Sequence, residues 1–207
     1  NVAQILFVDE VDPPFDEIHS LLDEGITLAT DLGYALRGVD LKALLGWVIF
    51  YEGDMATARL LLDESLLFYR KSGSRPFIGL YLPVLAKMQS MQGDYSAAYA
   101  LFEETLTIGR EVGDIEIISP CLLGMAELAV AQKHYAQTVR ILAVNEKQRE
   151  ITANRPMPAI DRVSYEHSLA AVHAVLQEET FVSLWAEGRA MSLDELLTTS
   201  RPDLESA

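Results

Sequence analysis

The residues of this 207-residue chain best equipped for chemistry are four histidines, one cysteine and several adjacent acids. Two imidazoles reach one metal ion from a helix only when they stand three or four residues apart. His167 and His173 are six apart and point to different sides, and His19 and His134 have no histidine or cysteine nearby. Cys121 has no companion histidine in sequence, so it reads as a small buried apolar group rather than a nucleophile. The pairs Asp63-Glu64, Glu103-Glu104 and Glu178-Glu179 sit about 100° apart around a helix and cannot work jointly on one bond. They read as solvated faces. No Gly-x-x-x-x-Gly-Lys-Ser/Thr loop is present to cradle phosphates, and no Gly-x-Gly-x-x-Gly follows a strand. The residues therefore name no catalytic site, no metal site and no cofactor, and point to a non-enzymatic chain.

Composition bounds what remains. Half the residues are apolar and 23% are charged, as in an ordered globular chain. The formal charge of −15 is concentrated at the two ends: residues 1–38 carry 8 acids against 1 base, and residues 159–207 carry 9 against 3. No basic face is available for a nucleic-acid backbone, which excludes direct nucleic-acid binding. A lone cysteine forms no internal disulfide, and no uncharged apolar run of about 18 residues is present to span a membrane. Together with a start at Asn1 lacking a basic leader, this predicts a cytoplasmic fragment of a longer protein, with no membrane partner.

Slid against itself, the chain repeats at a step of 40 residues. Gly53-Asp54 returns as Gly93-Asp94, and one step relates Gly33, Gly73 and Gly113, as it does Glu24, Glu64 and Glu104. Leu21, Leu61, Leu101 and Ile141 form one apolar row, and Leu22, Leu62, Phe102 and Leu142 another. Within a unit the spacing is helical: Ala58, Leu61, Leu62, Ser65, Phe68 and Tyr69 share one face, as do Ala98, Leu101, Phe102, Thr105, Ile108 and Gly109. Glycine ends a helix in the left-handed conformation, and Asp54, Asp94, Ser74 or Asp114 caps the next. The pattern predicts helices at 1–11, 16–32, 39–52, 54–72, 76–92, 94–112, 115–132, 134–151, 160–177, 179–190 and 192–199, and no strand. Residues 152–162 break the step with two prolines. The expected organisation is four helix-pair units over 1–158 (about 1–39, 40–79, 80–119 and 120–158) and a helical cap with tail over 159–207. In that cap Leu169, Val172, His173 and Leu176 line one face, and Phe181, Leu184 and Trp185 pack nearby.

A period of 40 suits HEAT and armadillo units, but the residues resemble tetratricopeptide repeats. Leu45-Gly46, Gly53-Asp54, Ala58, Leu62 and Ser65 follow that pattern, and Leu85-Ala86, Gly93-Asp94-Tyr95, Ala98, Phe102 and Thr105 follow it again. The third unit departs from it, with Lys133-His134-Tyr135 at the turn, Thr138 at the small position, and Val144-Asn145 where small residues are usual. The run Leu62-Asp63-Glu64-Ser65-Leu66, with Tyr69-Arg70 and Gly73, is similar to the repeated helix found toward the C-terminus of large bacterial signal-transduction ATPases, including LuxR-type transcriptional regulators. Phe181, the run from Trp185 to Ala190, and Ser192-Leu193-Asp194-Glu195 resemble the segment that closes such regions.

The resemblance implies an all-α, right-handed solenoid of antiparallel helix pairs, with a nucleotide-binding domain elsewhere in the full-length protein. It also implies a binding groove lined by the first helix of each pair. The family's groove positions fall on Phe7 and Glu10; Ala43, Trp47, Phe50 and Tyr51; Pro83, Lys87, Ser90 and Met91; and Leu123, Glu127 and Val130. Of these, Trp47, Phe50, Tyr51, Lys87, Met91 and Glu127 combine apolar anchors with both signs of charge, as suits a protein, a peptide or a small inducer. Trp47 and Phe50 fit ordinary core between units equally well. The implied role is a non-catalytic sensor or scaffold arm that also contacts its missing nucleotide-binding domain. The alternative is a stand-alone protein–protein interaction module unrelated to transcription.

Overall fold

The computed structural model describes residues 14–151 and 157–199, so the helix expected at 1–11 lies outside the described residues. Ten α-helices account for nearly all of the described chain, with no strand among them. They are α1 (Phe15–Asp31), α2 (Ala35–Glu52), α3 (Met55–Ser72), α4 (Arg75–Met91), α5 (Tyr95–Val112), α6 (Ile115–Ala131), α7 (Tyr135–Ile151), α8 (Ala159–His173), α9 (Glu178–Ala190) and α10 (Leu193–Thr199).

The turns set this order. Gly33, Gly53, Gly73, Gly93 and Gly113 all have positive φ, from 69° to 98°. At the first four the chain reverses by one pattern of bonds, as where the Gly53 N–H reaches the Phe50 carbonyl and the Asp54 N–H the Ile49 carbonyl, whereas at Gly113 both N–H groups, its own and that of Asp114, reach the Gly109 carbonyl. The sixth turn keeps the geometry of the first four without glycine. Lys133 stands at φ 61°, and the Lys133 and His134 N–H groups reach Val130 and Ala129 in the same way. Carboxylates then start the following helices: Asp54 accepts from the Thr57 N–H at 3.0 Å, Asp94 from Ala97 at 3.0 Å and Asp114 from Glu116 at 2.9 Å. Ser74 does not serve as the cap expected of it, since its hydroxyl makes no cap bond and pairs with the Ser72 hydroxyl at 2.9 Å.

Two helix ends differ from the sequence expectation. α2 begins at Ala35 rather than 39, because Gly38 is absorbed into its first turn and its N–H bonds the Tyr34 carbonyl at 3.0 Å. α8 stops at His173 rather than 177, where Gln177 turns to an extended conformation and starts α9.

Each helix from α1 to α8 packs on the next, and α2, α4, α6 and α8 also touch one another in succession to form a shared layer. The apolar rows fill the space between helices. Ala58, Ala98 and Thr138 are fully buried, as are Leu62, Phe102 and Leu142, each large side chain contributing about 1.5–3 kcal/mol. In the next row Ser65 and Thr105 satisfy their hydroxyls on the carbonyls of Leu61 and Leu101, both at 2.8 Å. Asn145, the departure in the third unit, is buried there with neither amide atom hydrogen-bonded.

α9 packs along α7 and α10 folds back on it. Leu184 and Val172 bury against Val139, while Leu196 enters the cluster of Phe102, Leu122 and Leu142. Trp185 is half-buried against both clusters, its ring 5.4 Å from that of Phe181, and the His173 ring lies 4.4 Å from Phe181 on the other side. Gly188 permits the close crossing of α9 over α7, since a Cβ there would stand 2.6 Å from the Arg140 carbonyl oxygen.

Two substitutions test these points by urea denaturation. Lys133→Gly relieves the left-handed lysine and is expected to raise stability by about 0.5–1 kcal/mol. Gly188→Ala pushes α9 off the α7 backbone and is expected to cost about 1–3 kcal/mol.

Candidate functional site

The shared layer of α2, α4 and α6 brings together part of the residue set expected to line a groove. Lys87 on α4 lies 3.1 Å from the Glu127 carboxylate on α6 and interacts electrostatically with Tyr51 on α2. The Tyr51 ring meets the Phe50 ring edge-on at 5.3 Å. Trp47 is half-buried, packs against the clusters of both α1–α2 and α3–α4, and sits edge-on to Tyr81 at 6.4 Å. Phe50 also packs against the second of these clusters, so both aromatics contribute to the core. Tyr51 is 39% exposed and Met91 is 67% exposed, which leaves them as the open part of the set. Of the other groove positions, Ala43, Pro83 and Leu123 are buried, whereas Ser90 and Val130 are half-buried. Phe7 and Glu10 lie outside the described residues.

The helix α8 accounts for what sequence reasoning missed. It packs on α6 and α7, its Ala159 is buried, and Ile160 reaches the cluster of Ile18, Leu22, Leu41, Leu44 and Val48 on α1 and α2. The start of α8 thus lies across the α2–α4–α6 layer. Ser164 faces the Lys87 ammonium at 3.4 Å, and Asp161 interacts with Lys87, Arg149 and Glu127. The Arg149 guanidinium in turn lies 3.4 Å from the Ser119 hydroxyl. The result is a polar cluster of both charges under a helix. Its one signal in the sequence is the stripe Asp161, Ser164 and Ser168, polar residues at helical spacing where a core helix would carry apolar ones.

Burial shapes the titration of this cluster. It works against the Lys87 ammonium, but Glu127, Tyr51 and Asp161 outweigh it and hold the lysine above its ordinary range. Burial pushes the Asp161 carboxyl up to about 6, against the pull of Lys87 and Arg149 and with a further push from Glu127. Elsewhere, burial raises the Cys121 thiol well above its ordinary value, and its S–H donates to the Phe102 carbonyl at 3.2 Å, so the cysteine is an inert part of the core.

Among the described residues, no group of three or more His, Cys, Asp or Glu side chains is placed to hold a metal, and no helix is long and apolar enough to cross a membrane. His19 pairs with Glu52 at 2.7 Å, and Glu104 of the recurring acid row bridges to Arg70 at 2.7 Å. A separate cavity of about 780 Å³ opens at the start of α7 beside Lys133, His134 and Arg140, the last already paired with Glu187 at 2.7 Å. No match to the chain was found among family models, curated proteins or solved structures.

Asp161 titrates higher in the fold than at its unfolded value of 3.8. The folded state therefore binds the proton more readily, and this residue's contribution to stability falls as pH rises from about 4 through about 6. Urea denaturation between pH 4.5 and 7.5 is expected to reveal that fall in the parent and to find it reduced in Asp161→Asn. Above pH 6.5 that variant should be the more stable by an amount on the order of 2 kcal/mol.

Proposed function

We propose that this chain is a non-catalytic sensor or scaffold arm of a bacterial signalling ATPase or LuxR-type regulator. In this reading it is a tetratricopeptide-like right-handed solenoid of helix pairs, about 40 residues per pair, closed by a C-terminal cap. The concave face belongs to α2, α4 and α6, and binds a protein, a peptide or a small inducer. The left-handed turns at every twentieth position from 33 to 133 support the repeat, and the resemblance of the repeated helix and of the closing segment supports the family.

The observation that carries the binding role is the juxtaposition of Tyr51, Lys87 and Glu127 from three successive members of one layer. Residues 36 and 40 apart in sequence converge there as an aromatic ring and two opposite charges, a combination suited to orienting an amphipathic ligand. Binding that favours one relative angle of adjacent helix pairs would be passed to a neighbouring nucleotide-binding domain as a change in the shape of the arm.

The test is a thermal-shift scan of the chain against host lysate separated into small-molecule and macromolecular fractions. A ligand present at about 100 times its dissociation constant adds about 2.7 kcal/mol and raises the melting temperature by several degrees. Tyr51→Ala is expected to melt like the parent without ligand and to lose the shift. A shift that Tyr51→Ala retains in full, or no shift from either fraction, would overturn this reading.

A further inference from the structure

The three C-terminal helices are held to the body in different ways. α9 is fastened by Arg140 to Glu187 at 2.7 Å, by Arg189 to Glu150 at 2.6 Å, and by the bond from the Lys147 ammonium to the Met191 carbonyl at 2.8 Å just past its end. α10 is fastened by Arg110 to Asp194, and by the Tyr99 hydroxyl donating to the Leu197 carbonyl at 2.8 Å. The described polar contacts of α8 are long. Lys87 reaches Ser164 at 3.4 Å and the Tyr165 hydroxyl reaches Glu146 at 3.4 Å, while the Ser168 hydroxyl is buried without a hydrogen bond. Asp161 is set among Lys87 of α4, Glu127 of α6 and Arg149 of α7, with Tyr51 of α2 on the far side of the lysine. Burial disfavours the charge of Asp161, so lifting α8 returns that carboxylate to water and offsets part of the packing that is lost.

We propose that the layer of α2, α4 and α6 is a helix-binding face that α8 occupies in cis, and that its partner is an amphipathic helix with the small and hydroxyl-bearing stripe of α8 but an uncharged residue at the place of Asp161. The proposal rests on the partner-binding role above and adds the kind of partner and the competition for the site. The fit of α8 defines the occupant: small residues Ala159, Ser164 and Ser168 allow close approach, Ile160 reaches the cluster of α1 and α2, Tyr165 and Leu169 pack on the larger core cluster, and Val172 meets Val139 of α7. Asp161 makes α8 the weaker competitor, since a carboxylate there prefers water to its seat; the acid range in which it gains a proton favours the cis arrangement.

The test uses the full 207-residue chain and a fluorescein-labelled peptide of residues 159–173, read by anisotropy. At pH 7.5 the peptide carrying Asp161→Asn is expected to bind at least fivefold tighter than the unsubstituted peptide, and the difference narrows at pH 5. Ile160→Ser in the chain loosens its own α8 without changing charge and is expected to tighten peptide binding at least tenfold; Asp161→Lys, repelled by Lys87 and Arg149, does the same by another route. Hydrogen exchange on the parent is expected to give α8 amides at least tenfold less protection than those of α6. Equal protection of the two helices, or variants that melt cooperatively yet bind the peptide no better than the parent, would overturn the proposal. Peptide exchange with no stabilising host fraction would instead count against the sensor reading and leave the helix-binding face standing.

Discussion

A helix with an apolar stripe is of little use until a second helix covers it, and the left-handed residue at every twentieth position makes that cover unavoidable. Between successive turns from α1 to α7 the helices are 17 or 18 residues long, about 26 Å each. Equal lengths joined by equal turns bring stripe against stripe along the whole of each pair. The buried rows at 58, 98 and 138 and at 62, 102 and 142 are then a consequence of chain geometry as much as of residue choice. Lys133 demonstrates how strong the constraint is. A lysine is held at a φ of 61° in the turn that brings α7 back onto α6.

That geometry also orders the sequence-distant contacts. Because α2, α4 and α6 lie side by side, residues separated by 36 and 40 positions, such as Tyr51, Lys87 and Glu127, come together on one surface. α8 extends the layer and crosses it, so Ile160 meets a cluster built from residues 18 to 48. Beyond neighbours in chain order, few of the described helices touch. The contacts that α8 makes are among the few places where the start and the end of the chain sense each other.

Much of the architecture was legible because it follows from local rules. The Gly-Asp turns at 53–54 and 93–94, the acid caps and the apolar rows each use a signal contained within a few residues, repeated at a fixed step. The start of α2 was misplaced because Gly38 reads as a helix breaker, although its neighbours hold it helical. The seat of α8 had no comparable signal. It depends on contacts across more than 70 residues, from Lys87 to Ser164 and from Ile160 to α2, outside any repeat. Lys87 and Glu127 were recognisable as a pair of charges on one face, whereas Asp161 and Arg149 were not, because nothing in the spacing of their own helices ties them to α4 and α6.

The choice of residues beneath α8 bears on reversibility. Replacing a buried ionic cluster by apolar side chains of similar volume is often neutral or favourable by about 1–4 kcal/mol, so Lys87, Glu127 and Asp161 are not there for strength. An apolar floor would lock α8 into the layer as firmly as the rows at 62 and 102 lock α3 and α5. A charged floor keeps docking weaker than an apolar one would, since the cost of drying Asp161 outweighs the pull of Lys87 and Arg149 on its carboxylate. It also makes the seat selective, because a helix that meets Lys87 with the wrong charge suffers both repulsion and desolvation. A surface that must accept a helix, release it and reject others is better served by this balance than by a tighter core.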